Sequence, residues 1–270
     1  MPSPISLNIV PARTGFTWVK QGIQTFIKQP LALAGLFFMF MALVSVASLV
    51  PFIGGALALV VLPAATVGLM ASTKIANEGK FPMPLTLFSA FRDGPKKTRA
   101  ILLLGALYAL GFLLVMAVSA LFDGGQFASM YLSGGSITKE AIASTEFQMA
   151  TWVALALYLP LSLMFWHAPA LVHWHDVSPV KALFFSLVAC LRNFGAMTVY
   201  FFSWLGVFVL GGLVLTIVAS LTGSESAVSF IMLPAALLMA TMFFCSIYFT
   251  VRDSFLTDSA SPSAHQLESP

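Results

Sequence analysis

Six stretches of about 20 apolar residues constrain this chain more than any other feature. They run over residues 30–50, 56–76, 99–121, 149–170, 195–220 and 228–250. Among Asp, Glu, Lys and Arg, only Lys74 and Arg99 fall inside them, and both lie at a stretch end, where a long side chain carries its charge back to water. A helix of about 20 apolar residues matches the ~30 Å hydrocarbon core of a bilayer. In hydrocarbon every backbone N–H and C=O needs an internal partner, which continuous helices supply. The expected fold class is therefore all-α: a polytopic transmembrane helix bundle, six spans in three hairpins, forming one integral membrane domain over 1–253.

Composition fits this reading. Only 9% of the 270 residues are charged, against about 25% in a soluble domain, so the chain lacks the charge to cover a water-exposed surface. The first apolar run could be mistaken for a secretion signal, because Ser45-Val46-Ala47 has the small-x-small form of a cleavage site. Its apolar region and the segment before it are both too long for that, and an uncleaved first span is expected. Cys190 and Cys245 are the only two cysteines, and a single distant pair suggests no disulfide framework.

Orientation follows from basic residues near the span ends. One side collects Arg13, Lys20, Lys28, Lys74, Lys80, Arg92, Lys96, Lys97, Arg99, Lys181, Arg192 and Arg252; the other has Lys139 alone. The rich side is expected to be the cytoplasm of a bacterial cell, with both termini there and the protein in the inner (plasma) membrane. Because these cations flank apolar spans instead of gathering on a water-facing surface, the net charge of +3 points to topogenic charge, and no nucleic-acid partner is expected. Residues 254–270, ending in Ser, Pro, Ala, Gln and Glu, are too polar to bury much surface, and a disordered cytoplasmic tail is expected.

Turn signals separate the spans: Pro51 to Gly55, Asp93-Gly94-Pro95, Gly124-Gly125, Gly134-Gly135 and Thr222-Gly223-Ser224. Between Phe122 and Glu146, Thr138 is placed to cap a short helix running towards the fourth span. A short amphipathic helix precedes each hairpin. In the first, Phe16, Val19, Ile23, Phe26 and Ile27 share a face away from Lys20, Gln21, Gln24 and Lys28. In the second, Leu87, Phe88 and Phe91 form a brief stripe. In the third, Val180, Leu183, Phe184, Leu187, Val188 and Leu191 follow helical spacing behind Ser178-Pro179, an N-cap and first-turn proline. Such helices suit the headgroup plane, or they pack on the bundle as ordinary core. The even spans share a Pro-Ala step, Pro63-Ala64, Pro169-Ala170 and Pro234-Ala235, which marks either ordinary kinks or hinges of a carrier.

The one polar constellation ends the fourth span: His167, His173, His175 and Asp176, with Trp166 and Trp174 between them. Imidazole and carboxylate are metal ligands, so these four residues are the metal candidates. On a helix, however, His173 and His175 point about 200° apart, and an interfacial belt of Trp and His explains them as well. No GxxxxGK[ST], HExxH or GxSxG occurs, and the span centres hold no acid or base for a proton relay. No catalytic residue and no cofactor is expected.

The run Ala168-Pro169-Ala170-Leu171, then Ser178-Pro179-Val180-Lys181-Ala182-Leu183, Ser186 and Arg192-Asn193 resembles an uncharacterised proteobacterial six-span inner-membrane protein family. More distantly it is similar to the membrane region attached to glycerophosphodiester phosphodiesterases, whose hydrolase domain has no counterpart here. The resemblance implies location, not activity. Three functions remain open. The first is a non-enzymatic accessory protein that binds lipids, anionic ones included, or another membrane protein. The others are an uncoupled transporter of a lipid or small solute, and a membrane enzyme using the His167, His173 and His175 cluster.

Overall fold

The structure, a computed structural model, describes residues 5–51, 53–134, 137–222 and 225–257. Ten α-helices carry the described chain: α1 (Thr14–Lys28), α2 (Pro30–Ser48), α3 (Gly54–Asn77), α4 (Pro95–Asp123), α5 (Gln126–Ser133), α6 (Lys139–Ala143), α7 (Thr145–His175), α8 (Pro179–Arg192), α9 (Phe194–Thr222) and α10 (Glu225–Ser254). A 3-10 helix spans Pro84–Phe91, and two short strands, β1 (Ile5–Leu7) and β2 (Phe255–Thr257), pair antiparallel. Six of the helices are long and apolar enough to cross a bilayer: α2, α3, α4, α7, and the segments Phe194–Val218 of α9 and Ile231–Ser254 of α10. Each coincides with one of the six sequence windows. At 1.5 Å per residue the 29 residues of α4 and the 31 of α7 reach about 44 and 47 Å, beyond the ~30 Å hydrocarbon core. Their ends therefore lie at headgroup depth.

Local chemistry sets the helix ends. Pro95 opens α4 behind Gly94, whose φ of 97° favours glycine. Gly124 (φ 66°) and Gly125 (φ 90°) break the chain after α4. The carboxylate of Asp123 then accepts from the Gly125 N–H (2.9 Å) and the Phe127 N–H (2.6 Å), starting α5. Thr138 caps α6 as its sequence suggests, its hydroxyl accepting from Ala141 N–H, and Ser144 caps α7 through Phe147 N–H.

The chain divides into two compact units. The first comprises residues 1–39, 66–89 and 188–270. In it α1 lies along α9 and α10, and successive α1 residues meet successively earlier residues of α10. Trp18 Nε1 donates to Asp253 Oδ2 (2.9 Å), Gly22 abuts Ser246, and Phe26 packs with Cys245. Glycine permits this approach, since a Cβ on Gly15 would meet the Ala196 carbonyl and one on Gly22 the backbone of Ser246. The second unit comprises residues 40–65 and 90–187. There α4 packs along α7, with Val115, Met116, Phe127, Phe147, Ala150 and Ala154 in its core. The Tyr108 and Tyr158 hydroxyls meet at 3.2 Å between the two helices.

Three sequence expectations need correction. The face of α1 that packs is Gly15, Trp18, Val19, Gly22, Thr25 and Phe26, so only Val19 and Phe26 of the expected stripe are covered. Phe16 and Ile27 remain 60% and 65% exposed. Small residues admit a neighbouring backbone more closely than large apolar ones do. The segment before the second hairpin is a 3-10 helix in which only Leu87 of the stripe is buried. The start of the expected tail is ordered: Ser254 ends α10 and Phe255–Thr257 form β2, because the backbone of Ile5–Leu7 offers them ladder partners. Residues 258–270 of that expected tail lie outside the described residues.

Candidate functional site

In the second unit, charged groups gather where α7 ends and α4 begins. Asp176 ends α7 in the left-handed conformation (φ 53°, ψ 26°), the one non-glycine positive φ among the described residues. Asp tolerates this region better than most side chains, yet at a cost that glycine avoids. The Asp176 and Val177 N–H groups both donate to the Leu171 carbonyl, closing the helix. Lys97 Nζ donates to the His173 carbonyl at 2.9 Å, satisfying a last-turn acceptor at the negative end of the helix. The same ammonium lies 3.5 Å from Asp93 Oδ2 and 3.8 Å from Asp176 Oδ1. His173 Nε2 lies 3.6 Å from Asp93 Oδ2, too long for a hydrogen bond. Its Nδ1 is buried with no hydrogen-bond partner among the described residues.

His167 sits deeper and does something else. Its backbone N–H donates to Ser186 Oγ (2.9 Å), and that hydroxyl donates to the Leu163 carbonyl (2.7 Å). The α8 serine thus occupies a step that the α7 backbone would otherwise close by itself. Two residues later Pro169 lacks the N–H that would serve the Phe165 carbonyl. A side chain inserted in the ladder and a proline are two recognised causes of helix bending. Ser186 was read from sequence only as part of a family resemblance, and the structure buries it fully on the α8 face that also carries Ala182 and Ala189.

The four sequence-predicted ligands are therefore separated in role. His173 and Asp176 share the Lys97 cluster, the His167 backbone binds Ser186, and His175 is partly exposed. Among the described residues no group of three or more His, Cys, Asp or Glu is placed to hold a metal. Asp93 is the member that sequence reading missed, since it precedes His173 by 80 positions and only the packing of α4 on α7 joins them. Cys190 is buried, which pushes its thiol up to about 12 and leaves it protonated and unreactive.

Two helices present a further arrangement. On α8 the buried residues after Pro179 are small: Ala182, Ser186, Ala189 and Cys190. Val180 (69%), Phe184 (62%) and Leu191 (55%) point outward, with Lys181 and Arg192 exposed beside them. On α1, Phe16, Ile23 and Ile27 fall within about 40° of each other, adjacent to the packed face and flanked by Lys20. Both helices thus have three faces in the same rotational order: packed, apolar and polar. A single residue separates each from the span that follows: Gln29 between Lys28 and Pro30, and Asn193 between Arg192 and Phe194.

No family model matches the chain, and no solved structure matches it. It is 41% identical over 249 residues to a protein of Burkholderia thailandensis described as "Probable inner membrane protein", covering 91% of this chain and 92% of that one. With this identity along nearly the whole of both chains, and with six membrane-length helices, the chain belongs to the same family of inner-membrane proteins as the Burkholderia thailandensis protein.

Proposed function

We propose that the protein is a non-enzymatic, lipid-binding component of the inner membrane, with both termini in the cytoplasm and α1 and α8 docked on the cytoplasmic leaflet. One observation carries this reading: α8 turns small residues to the protein and α1 a face spaced by Gly15 and Gly22 that also carries Trp18 and Phe26, and both helices leave other large apolar residues uncovered beside basic ones. Burial of such side chains in acyl chains contributes about 25 cal/mol per Å². Each nearby cation adds about 1 kcal/mol where the lipids are anionic. The twelve-to-one split of basic residues supports the orientation.

Cysteine labelling in inside-out vesicles tests the proposal, because the native Cys190 and Cys245 are buried and give little background. Cysteine at Gln24 should react quickly with a water-soluble maleimide, and cysteine at Phe16 or Ile27 slowly. Equal, fast labelling at all three positions would overturn docking. Slow labelling that becomes fast when peripheral proteins are stripped off would assign the uncovered face to a protein partner instead.

A further inference from the structure

The outer face of α4 combines charge and apolar surface in a way the preceding proposal does not use. At about 100° per residue, Lys96, Arg99, Leu103, Leu110, Leu114 and Leu121 project within about 60° of one another. The leucines are 52%, 66%, 63% and 81% exposed. Opposite them Ile101, Leu104, Gly105 and Ala109 are buried. Arg92 precedes the helix by about one turn. Arg92, Lys96 and Arg99 are exposed and form no hydrogen bond or ion pair among the described residues. The acids that would neutralise them are engaged elsewhere, since Asp93 and Asp176 face Lys97 and His173.

Three uncompensated cations thus stand at the head of an exposed leucine stripe. From Arg99 to Leu110 is about 16 Å along the helix, the depth of one leaflet's acyl region. Cations at headgroup depth and leucines below them match a phosphate head with an acyl chain. We propose that this face of α4 binds an anionic phospholipid of the leaflet, its phosphate held by Arg92, Lys96 and Arg99 and one chain lying on Leu103 and Leu110. A zwitterionic headgroup brings its own cation and adds no net negative charge beside the three positive side chains, whereas an anionic headgroup adds one. The inference rests on the membrane reading but not on α1 or α8.

The test is native mass spectrometry of the full chain in detergent, titrated with phosphatidylglycerol or phosphatidylcholine. The unmodified protein should retain one phosphatidylglycerol with about a hundredfold preference, the scale expected for three cations near anionic lipid. The Arg92→Gln, Lys96→Gln, Arg99→Gln variant should lose that preference, whereas Lys20→Gln, Lys181→Gln, Arg192→Gln should keep it. Loss in the second variant alone would overturn the α4 site and leave docking of α1 and α8 standing. Displacement of the lipid by inorganic phosphate would also overturn it, since a bare anion site needs no acyl stripe. Because neutralised cations can disturb insertion, a Leu103→Trp variant with its charges intact gives an independent reading. Its added fluorescence should be quenched more by brominated phosphatidylglycerol than by brominated phosphatidylcholine at equal mole fraction. Equal quenching by the two lipids would refute the site.

Discussion

Where α9 and α10 close the first unit, neutral donors and acceptors do most of the work, beside one carboxylate, Asp253, that accepts from Trp18 Nε1 and Arg252 Nε. Asn193 accepts from Val10 N–H (2.9 Å) and donates to the Asn8 carbonyl (3.0 Å) and to Ser254 Oγ. The Tyr200 hydroxyl meets Ser246 Oγ at 2.6 Å, and Trp204 Nε1 donates to the same oxygen. Where α4 and α7 close the second unit, the contacts are between charges: Lys97, Asp93 and Asp176, with His173 against them. The neutral set is mostly buried, and its geometry depends on close backbone approach. The charged set is half-exposed at its carboxylates, so water and salt reach it. One chain thus uses two means of fixing helix ends, and they should fail under different conditions.

The largest effect should come from the close approach that the neutral set depends on. Gly22→Val places a Cβ against the Ser246 backbone, and overpacking against backbone should cost about 3 kcal/mol or more. Thermal unfolding in detergent, followed by tryptophan fluorescence, measures it. Gly35→Ala, where nothing lies within 4 Å, should leave the transition within about 0.5 kcal/mol. Similar losses from both would mean that the fit of α1 on α10 is not what holds the first unit. Next comes Asn193→Ala, which strands the Val10 N–H and the Asn8 carbonyl. A cost of about 1–3 kcal/mol is expected, together with faster amide exchange at residues 8–10 and unchanged exchange at 173–177. The smallest effect belongs to the charged set. Lys97→Gln should cost about 0.5–1 kcal/mol at low salt and less at high salt, because salt screens its half-exposed ion pairs but not its hydrogen bond to the His173 carbonyl. A salt response at Asn193→Ala and none at Lys97→Gln would reverse the comparison.

The six spans were legible because each is a continuous apolar run, and length alone separates such runs from soluble helices. Glycine turns and the Thr138 cap were legible for the same local reason. The packed face of α1 was not. In a soluble protein the large apolar side chains of an amphipathic helix face the core. In a membrane, lipid receives them equally well, so large apolar residues fall on both sides: Trp18 and Phe26 of α1 are buried while Phe16 and Ile27 are exposed, and the small residues show which side packs. Gly15, Gly22, Ala182 and Ser186 mark the protein side, while Phe16, Ile27 and Phe184 lie outside it. The pairing of Asp93 with Lys97 was within reach of an i, i+4 reading, but their meeting with His173 and Asp176 depends on which helices pack. Ser186 bridging Leu163 and His167 is equally non-local, and no periodicity reports it.

The antiparallel pairing of Ile5–Leu7 with Phe255–Thr257 constrains how many times the polypeptide between them crosses the bilayer. Two strands from opposite ends can meet only if the polypeptide between them crosses the bilayer an even number of times. A copy in which one apolar run failed to insert would leave the strands on opposite sides, each with an unpaired edge. The pairing therefore tests parity: it forms when the crossings add up and cannot form when one is missed. A miscounted chain would differ from a correct one at both strands at once, each with an exposed edge accessible to proteases.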